Sequence, residues 1–217
     1  MNKTILKIIT IFEITIAIIV VLLDLLIPTL IILGMIVISL LIRREKISVL
    51  GFKKPKSWLG LISISIICVV FLQLFDVGVL MPILNRLTGT TINYSGFADL
   101  KGNLQQLLLF LGLGWTLAAV GEEIVYRGYL YKLLINLFGQ NLLGIVLSIG
   151  ISSLLFGLAH LEQGLVGVVV TAFDAVIFSL LKRKFDNNLW VTILAHGFYN
   201  TLGVVVFYFT GPIYGLW

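Results

Sequence analysis

The stretch WLGLISISIICVVFLQLFDVGVL, Trp58 to Leu80, runs across the hydrocarbon-length scale with a single formal charge, Asp76. A helix needs about 20 predominantly apolar residues to cross the roughly 30 Å hydrocarbon core of a bilayer. Trp58, at its start, is a plausible interfacial anchor, and the residues before it are basic. Runs of this kind recur along all 217 residues: the chain is 59% hydrophobic and 12% charged, and its mean hydropathy is +1.12. The fold class read from this is all-α, a polytopic transmembrane helical bundle of about seven (seven to eight) spans. A transmembrane barrel would show alternating segments of about ten residues, and none is visible.

Working outward, Ile5 to Ile27 and Pro28 to Ile42 form a first hairpin that turns near Asp24 and Pro28. The stretch runs past Val37, too long for the apolar core of a cleaved leader, so it is read as membrane-embedded. RREKISVLGFKKPKSW (43–58) carries six basic residues against one acid, Glu45, the strongest cytoplasmic signal in the chain. Trp58–Leu80 is the third span, and Asn85–Asn103 a polar exterior loop. A fourth span starts at Leu104, a fifth covers Asn141–Leu161 and a sixth Leu165–Leu181. KRKFDN (182–187) is again basic, and Leu189–Phe209 is the seventh span, leaving a short exterior tail. Both basic loops fall on one side when the N-terminus is cytoplasmic. The net charge of +5 is therefore read as topology, and nucleic acid is excluded as a partner because no basic surface interleaved with aromatics is present. Abundant Ile, Leu and Val with few prolines point to a bacterial cell membrane. Residues 1–103 are N-terminal membrane helices with the basic loop, and 104–217 a helical core, the two forming one integrated domain. The lone Cys68 allows no internal disulfide.

Charged groups at membrane depth cost upward of about 2.5 kcal/mol each, so the acids need reasons. Glu13, Asp24, Asp76 and Glu162 are read as span-end or turn residues, and Asp174 as a deeper one. VGEEIVYRGYLYK (120–132) is different: it concentrates Glu122, Glu123 and Arg127. Glu123 and Arg127 are four apart and can pair on one helix face, whereas Glu122 is rotated about 100° away and has no such partner. The chain's two histidines both sit in apolar helices, in FGLAHLE (His160) and LAHGFYNT (His196). Phe156 precedes His160 by one turn and can wall the same face; Asn200 follows His196 by one turn. With Gly139 as a turn, Glu122 lies 17 residues before it and His160 21 after it, so an antiparallel hairpin brings them within about 6 Å in height. His196 lies roughly 13 Å in from its basic loop. This requires the fourth span to continue past Gly121, with Arg127 and Lys132 emerging at the cytoplasmic surface.

EEIVYR, then FGLAH, then HGFYN resembles the signature of the CPBP family of intramembrane proteases, which includes the CAAX-processing endopeptidase and bacterial relatives linked to bacteriocin maturation or self-immunity. The matching residues are Glu122, Glu123 and Arg127, then Phe156 and His160, then His196 and Asn200, within about Leu104–Leu202. Tyr126 stands where phenylalanine is usual, and Asp174 where glycine is frequent. The resemblance implies an intramembrane endopeptidase in which Glu122 and His160 activate water, His196 and Asn200 stabilise the oxyanion, and Glu123, Arg127 and Phe156 support them. Its partner would be a peptide or protein substrate, a C-terminal peptide or a bacteriocin precursor. No cofactor is expected in this reading. Alternatives are a zinc enzyme using Glu122, His160 and His196, which lacks the compact His-Glu-x-x-His spacing, and a non-catalytic scaffold or bacteriocin self-immunity protein. A small transporter is a further reading, for which no internal repeat is visible.

Overall fold

The computed structural model describes residues 2–25 and 27–212; the last residues of the expected exterior tail, 213–217, lie outside this set. Among the described residues there is no strand, and seven helices form the bundle: α1 (Lys3–Leu22), α2 (Pro28–Arg43), α3 (Trp58–Thr88), α4 (Leu104–Phe138), α5 (Leu142–Leu158), α6 (Gly164–Lys184) and α7 (Leu189–Thr210). Five stretches are long and apolar enough to cross a membrane: α1, α3, α4, α6 with its lead-in turn, and α7. At 16 and 17 residues, α2 and α5 span only about 24–26 Å, short of a full crossing when upright. Large apolar side chains face outward all round, among them Phe12 (64% exposed), Phe71 (72%) and Leu142 (78%). A surface of that kind is untenable in water and is what lipid solvates. The chain is an integral membrane protein.

Helix starts coincide with polar residues placed directly before the apolar runs. Ser57, Asn103, Asn141 and Asn188 each accept a hydrogen bond from a backbone N–H of the first turn, satisfying donors that have no partner inside the helix. Pro28 opens α2, where its missing N–H costs nothing. Gly139, at φ 92°, makes the turn between α4 and α5 that the chain pattern indicates. α5 and α6 then lie very close, because Gly157 leaves room for the backbone of Val168, whose carbonyl would be 2.5 Å from a Cβ there.

The two basic loops dock on each other at one end of the bundle. Leu189 N–H donates to Gly51 O at 2.8 Å, Asn188 Nδ2 donates to Lys53 O, and the Trp190 ring meets both Phe52 and Trp58 edge-on. The 89–103 segment closes the opposite end: Asn93 N–H bonds Gln163 O, Gly102 N–H bonds Tyr208 O, and Tyr94 and Phe97 pack on Phe207.

Several readings of single residues are corrected. The first helix stops at Leu22, with Asp24 in the following turn at φ 45°. Helix α3 runs on to Thr88, so Asn85 to Thr88 are helical and not loop. Glu13 and Asp76 are not span-end groups: both are buried within helices, at 6% and 0% exposure. Arg43 belongs to α2 and turns inward, pairing with Glu13 and donating to Thr10 and Ser39; two charges removed from water together offset each other's desolvation. Lys182 likewise leaves the basic loop and is buried.

Candidate active site

The middle of α4, Gly114–Leu130, is wound as π-helix, with the N–H of Tyr131 bonding the carbonyl of Tyr126 five residues back. Such winding is rare and occurs mostly as single turns, often at functional sites. Here it is supported from outside. Ser152 Oγ of α5 donates to Tyr126 O at 2.8 Å, and Lys182 Nζ of α6 donates to Arg127 O. Carbonyls in the π segment are thereby satisfied by neighbouring helices, which a dry interior demands.

On this segment Glu123 is fully buried and its Oε1 lies 2.8 Å from Arg127 Nη1. Arg127 does not emerge at the surface as the sequence pattern suggested; it is 2% exposed, and its guanidinium sits 4.2 Å from the Phe156 ring centroid. An ion pair and a cation–π contact together hold it inside. Lys132, one turn on, does reach the basic end, where it pairs with Glu45.

His196 of α7 faces both glutamates. Its Nδ1–H donates to Glu123 Oε1 at 2.9 Å, and its Nε2 stands 3.9 Å from Glu122 Oε2, too far for a hydrogen bond. The two carboxylates differ in their contacts, Glu123 being bonded to both Arg127 and His196, but they do not face apart as a 100° rotation implies: one imidazole addresses both. Glu122 Oε2 is buried without a hydrogen-bond partner among the described residues. His160 ends α5. Its Nδ1–H donates to Phe156 O at 2.8 Å, capping a carbonyl the helix end leaves open. The Phe156 ring stands 4.8 Å from His160 and 5.9 Å from His196, between centroids, so the wall residue touches both imidazoles and Arg127. Asn200 packs on α4 at Gly114.

Since a carbonyl or carboxylate oxygen only accepts, both histidines spend Nδ1–H on their partners, and Nε2 of each is the free nitrogen. This pattern suits hydrogen bonding to water or substrate; it is also how metal-ligating imidazoles are oriented. Among the described residues, however, no three His, Cys, Asp or Glu side chains are grouped to hold a metal ion.

Three features were not read from the sequence. Ser152 lies on the same stripe as Phe156 and His160, at spacings of four, a signal that was present. Lys182 looked like a loop residue because it opens KRK. Trp115 lies in an apolar run and is invisible to motif reading, yet its indole N–H bonds Thr201 Oγ1 at 3.0 Å and its ring covers Gly197. A Cβ at Gly197 would lie 2.4 Å from that ring. Gly197→Ala is therefore expected to destabilise the protein by about 1–3 kcal/mol, seen as a lower unfolding midpoint in detergent.

Residues 104–202 match the family model of the Rce1-like proteins, described as type II CAAX prenyl endopeptidase Rce1-like. The matched segment, somewhat under half of the chain, is similar to that family. It begins at α4 and ends within α7, and it contains Glu122, Glu123, Arg127, Phe156, His160, His196 and Asn200 together. The match agrees with the CAAX-protease resemblance carried by the motifs. No curated protein and no solved structure matches the chain.

Proposed function

We propose that this protein is an intramembrane endopeptidase that hydrolyses a peptide bond near the basic end of the bundle, with that end and the N-terminus facing the cytoplasm of a bacterial cell. The observation that carries the reading is Glu122: a carboxylate oxygen, buried and unpartnered, set against His196 in an Rce1-like segment. A carboxylate oxygen that the packing leaves without a partner is the expected signature of a working group.

In this reading Glu122 accepts a proton from a water that His160 Nε2 also holds, and the water oxygen attacks the scissile carbonyl. His196 has Nδ1–H committed to Glu123, so Nε2 donates to the oxyanion only when the ring carries its second proton. Asn200 Nδ2 supplies the second donor. The substrate is a C-terminal peptide, and the Rce1-like match makes a prenylated one the first to try.

We favour the metal-free glutamate mechanism over zinc held by Glu122, His160 and His196, because Glu122 and His196 face each other in one α4–α7 contact while His160 is directed by the end of α5. The test uses purified protein in liposomes with CAAX-ended peptides, farnesylated and plain, and product masses as readout. A shortened peptide whose formation is insensitive to chelators is the expected result. Stoichiometric zinc lost together with activity would instead establish the metal form.

A further inference from the structure

A second buried polar group lies outside the site. Asp76 on α3 is fully buried and Asp174 on α6 is 5% exposed. The Tyr199 hydroxyl on α7 donates to Asp76 Oδ2 at 2.9 Å. Gln73, one turn before Asp76, donates through Nε2 to the Tyr199 backbone carbonyl at 3.3 Å. Residue 199 is thus gripped twice from one face of α3, by side chain and by main chain.

Such a grip fixes the rotation of α7 about its axis. His196 precedes Tyr199 by three residues and Asn200 follows it directly, so the direction in which each points is set by where Tyr199 is held. Phe178 of α6 links the two levels, its ring centroid 5.9 Å from His196 and 6.3 Å from Tyr199. Burying two carboxyls and a phenol at this depth is expensive, and α3 and α6 have ample apolar surface with which to pack on α7 without them. We infer that Asp76 and Gln73 are positioning residues that act through Tyr199 to aim His196 at the α4 glutamates and to seat Asn200 against Gly114. An amide at position 76 keeps an oxygen that accepts from the Tyr199 hydroxyl, and a leucine there does not.

The kinetic arm of the test rests on the protease reading; the structural arm does not. Trp115 reports α7 directly, since its indole N–H bonds Thr201. The full chain, reconstituted and labelled with nitrogen-15, is compared with Tyr199→Phe, Gln73→Met, Asp76→Asn and Asp76→Leu; Trp115→Phe assigns the indole signal. Tyr199→Phe and Asp76→Leu are expected to move or broaden that signal and to lower kcat about 100-fold at nearly constant KM, the cost of a small misplacement. Gln73→Met shifts it less, in the same direction. Asp76→Asn, which keeps the acceptor, stays near the wild type in both readouts. An unmoved Trp115 signal in Tyr199→Phe, or an Asp76→Asn as damaged as Asp76→Leu, overturns the inference. If the wild type cleaves no peptide, the protease reading fails and the indole signal still decides the clamp.

Discussion

Glu122→Gln is expected to reduce peptide cleavage by about 10²- to 10⁴-fold, the range a positioned general base contributes, while leaving the bundle folded. The two halves of that expectation come from one geometry. Glutamine keeps the volume of the side chain and removes only its charge and its ability to take a proton. Glu122 Oε2 accepts no hydrogen bond among the described residues, and its distance of 3.9 Å to His196 Nε2 is beyond hydrogen-bond range. The substitution therefore breaks no contact that packing depends on. Glu123→Gln, one residue along, should behave in the opposite way, because Glu123 pairs with Arg127 and accepts from His196 while fully buried. It would lose folded stability first. Product masses from reconstituted protein and unfolding midpoints in detergent separate the two. Cleavage by Glu122→Gln at the wild-type rate would remove Glu122 from the chemistry and require another base for the water.

What the sequence disclosed followed the strength of its periodic signals. Apolar runs placed the helices, since a bilayer leaves helices as the only spans open to such segments, and Gly139 marked the α4–α5 turn. Spacings of four placed Glu123 with Arg127 and Phe156 with His160, and both contacts are present. Less legible was anything set by tertiary packing. Arg127 and Lys182 read as surface cations because lysine and arginine usually are; Glu123 and the Phe156 ring hold the first inside, and the Arg127 carbonyl accepts from the second. The π winding of α4 has no sequence signature, yet it accompanies both glutamates facing a single imidazole, contrary to the 100° rotation of an ordinary helix. Asp76 and Tyr199 lie 123 residues apart, and no local pattern couples positions that distant.

Arg127→Leu is expected to cost about 3–5 kcal/mol of stability, the range for removing one partner of a buried ion pair. The loss exceeds that of an ordinary core change because Glu123 stays behind, at zero exposure, without the guanidinium that is its ion-pair partner. Arg127→Lys should recover little. An ammonium is a compact point charge and cannot lie flat over the Phe156 ring as the guanidinium does, 4.2 Å from its centroid, while still reaching Glu123. The double variant Glu123→Gln/Arg127→Leu removes both charges, so its cost should fall short of the sum of the singles by about 0.5–3 kcal/mol, measured as a cycle in denaturant titrations of detergent-solubilised protein. Strict additivity would show that the two groups are independent in solution. Activity should not return with the stability of the double variant, because Glu123 also accepts the Nδ1–H that orients His196. One carboxylate thus carries two burdens that this cycle separates: neutralising Arg127, which a matched apolar pair can replace, and aiming an imidazole at Glu122, which it cannot.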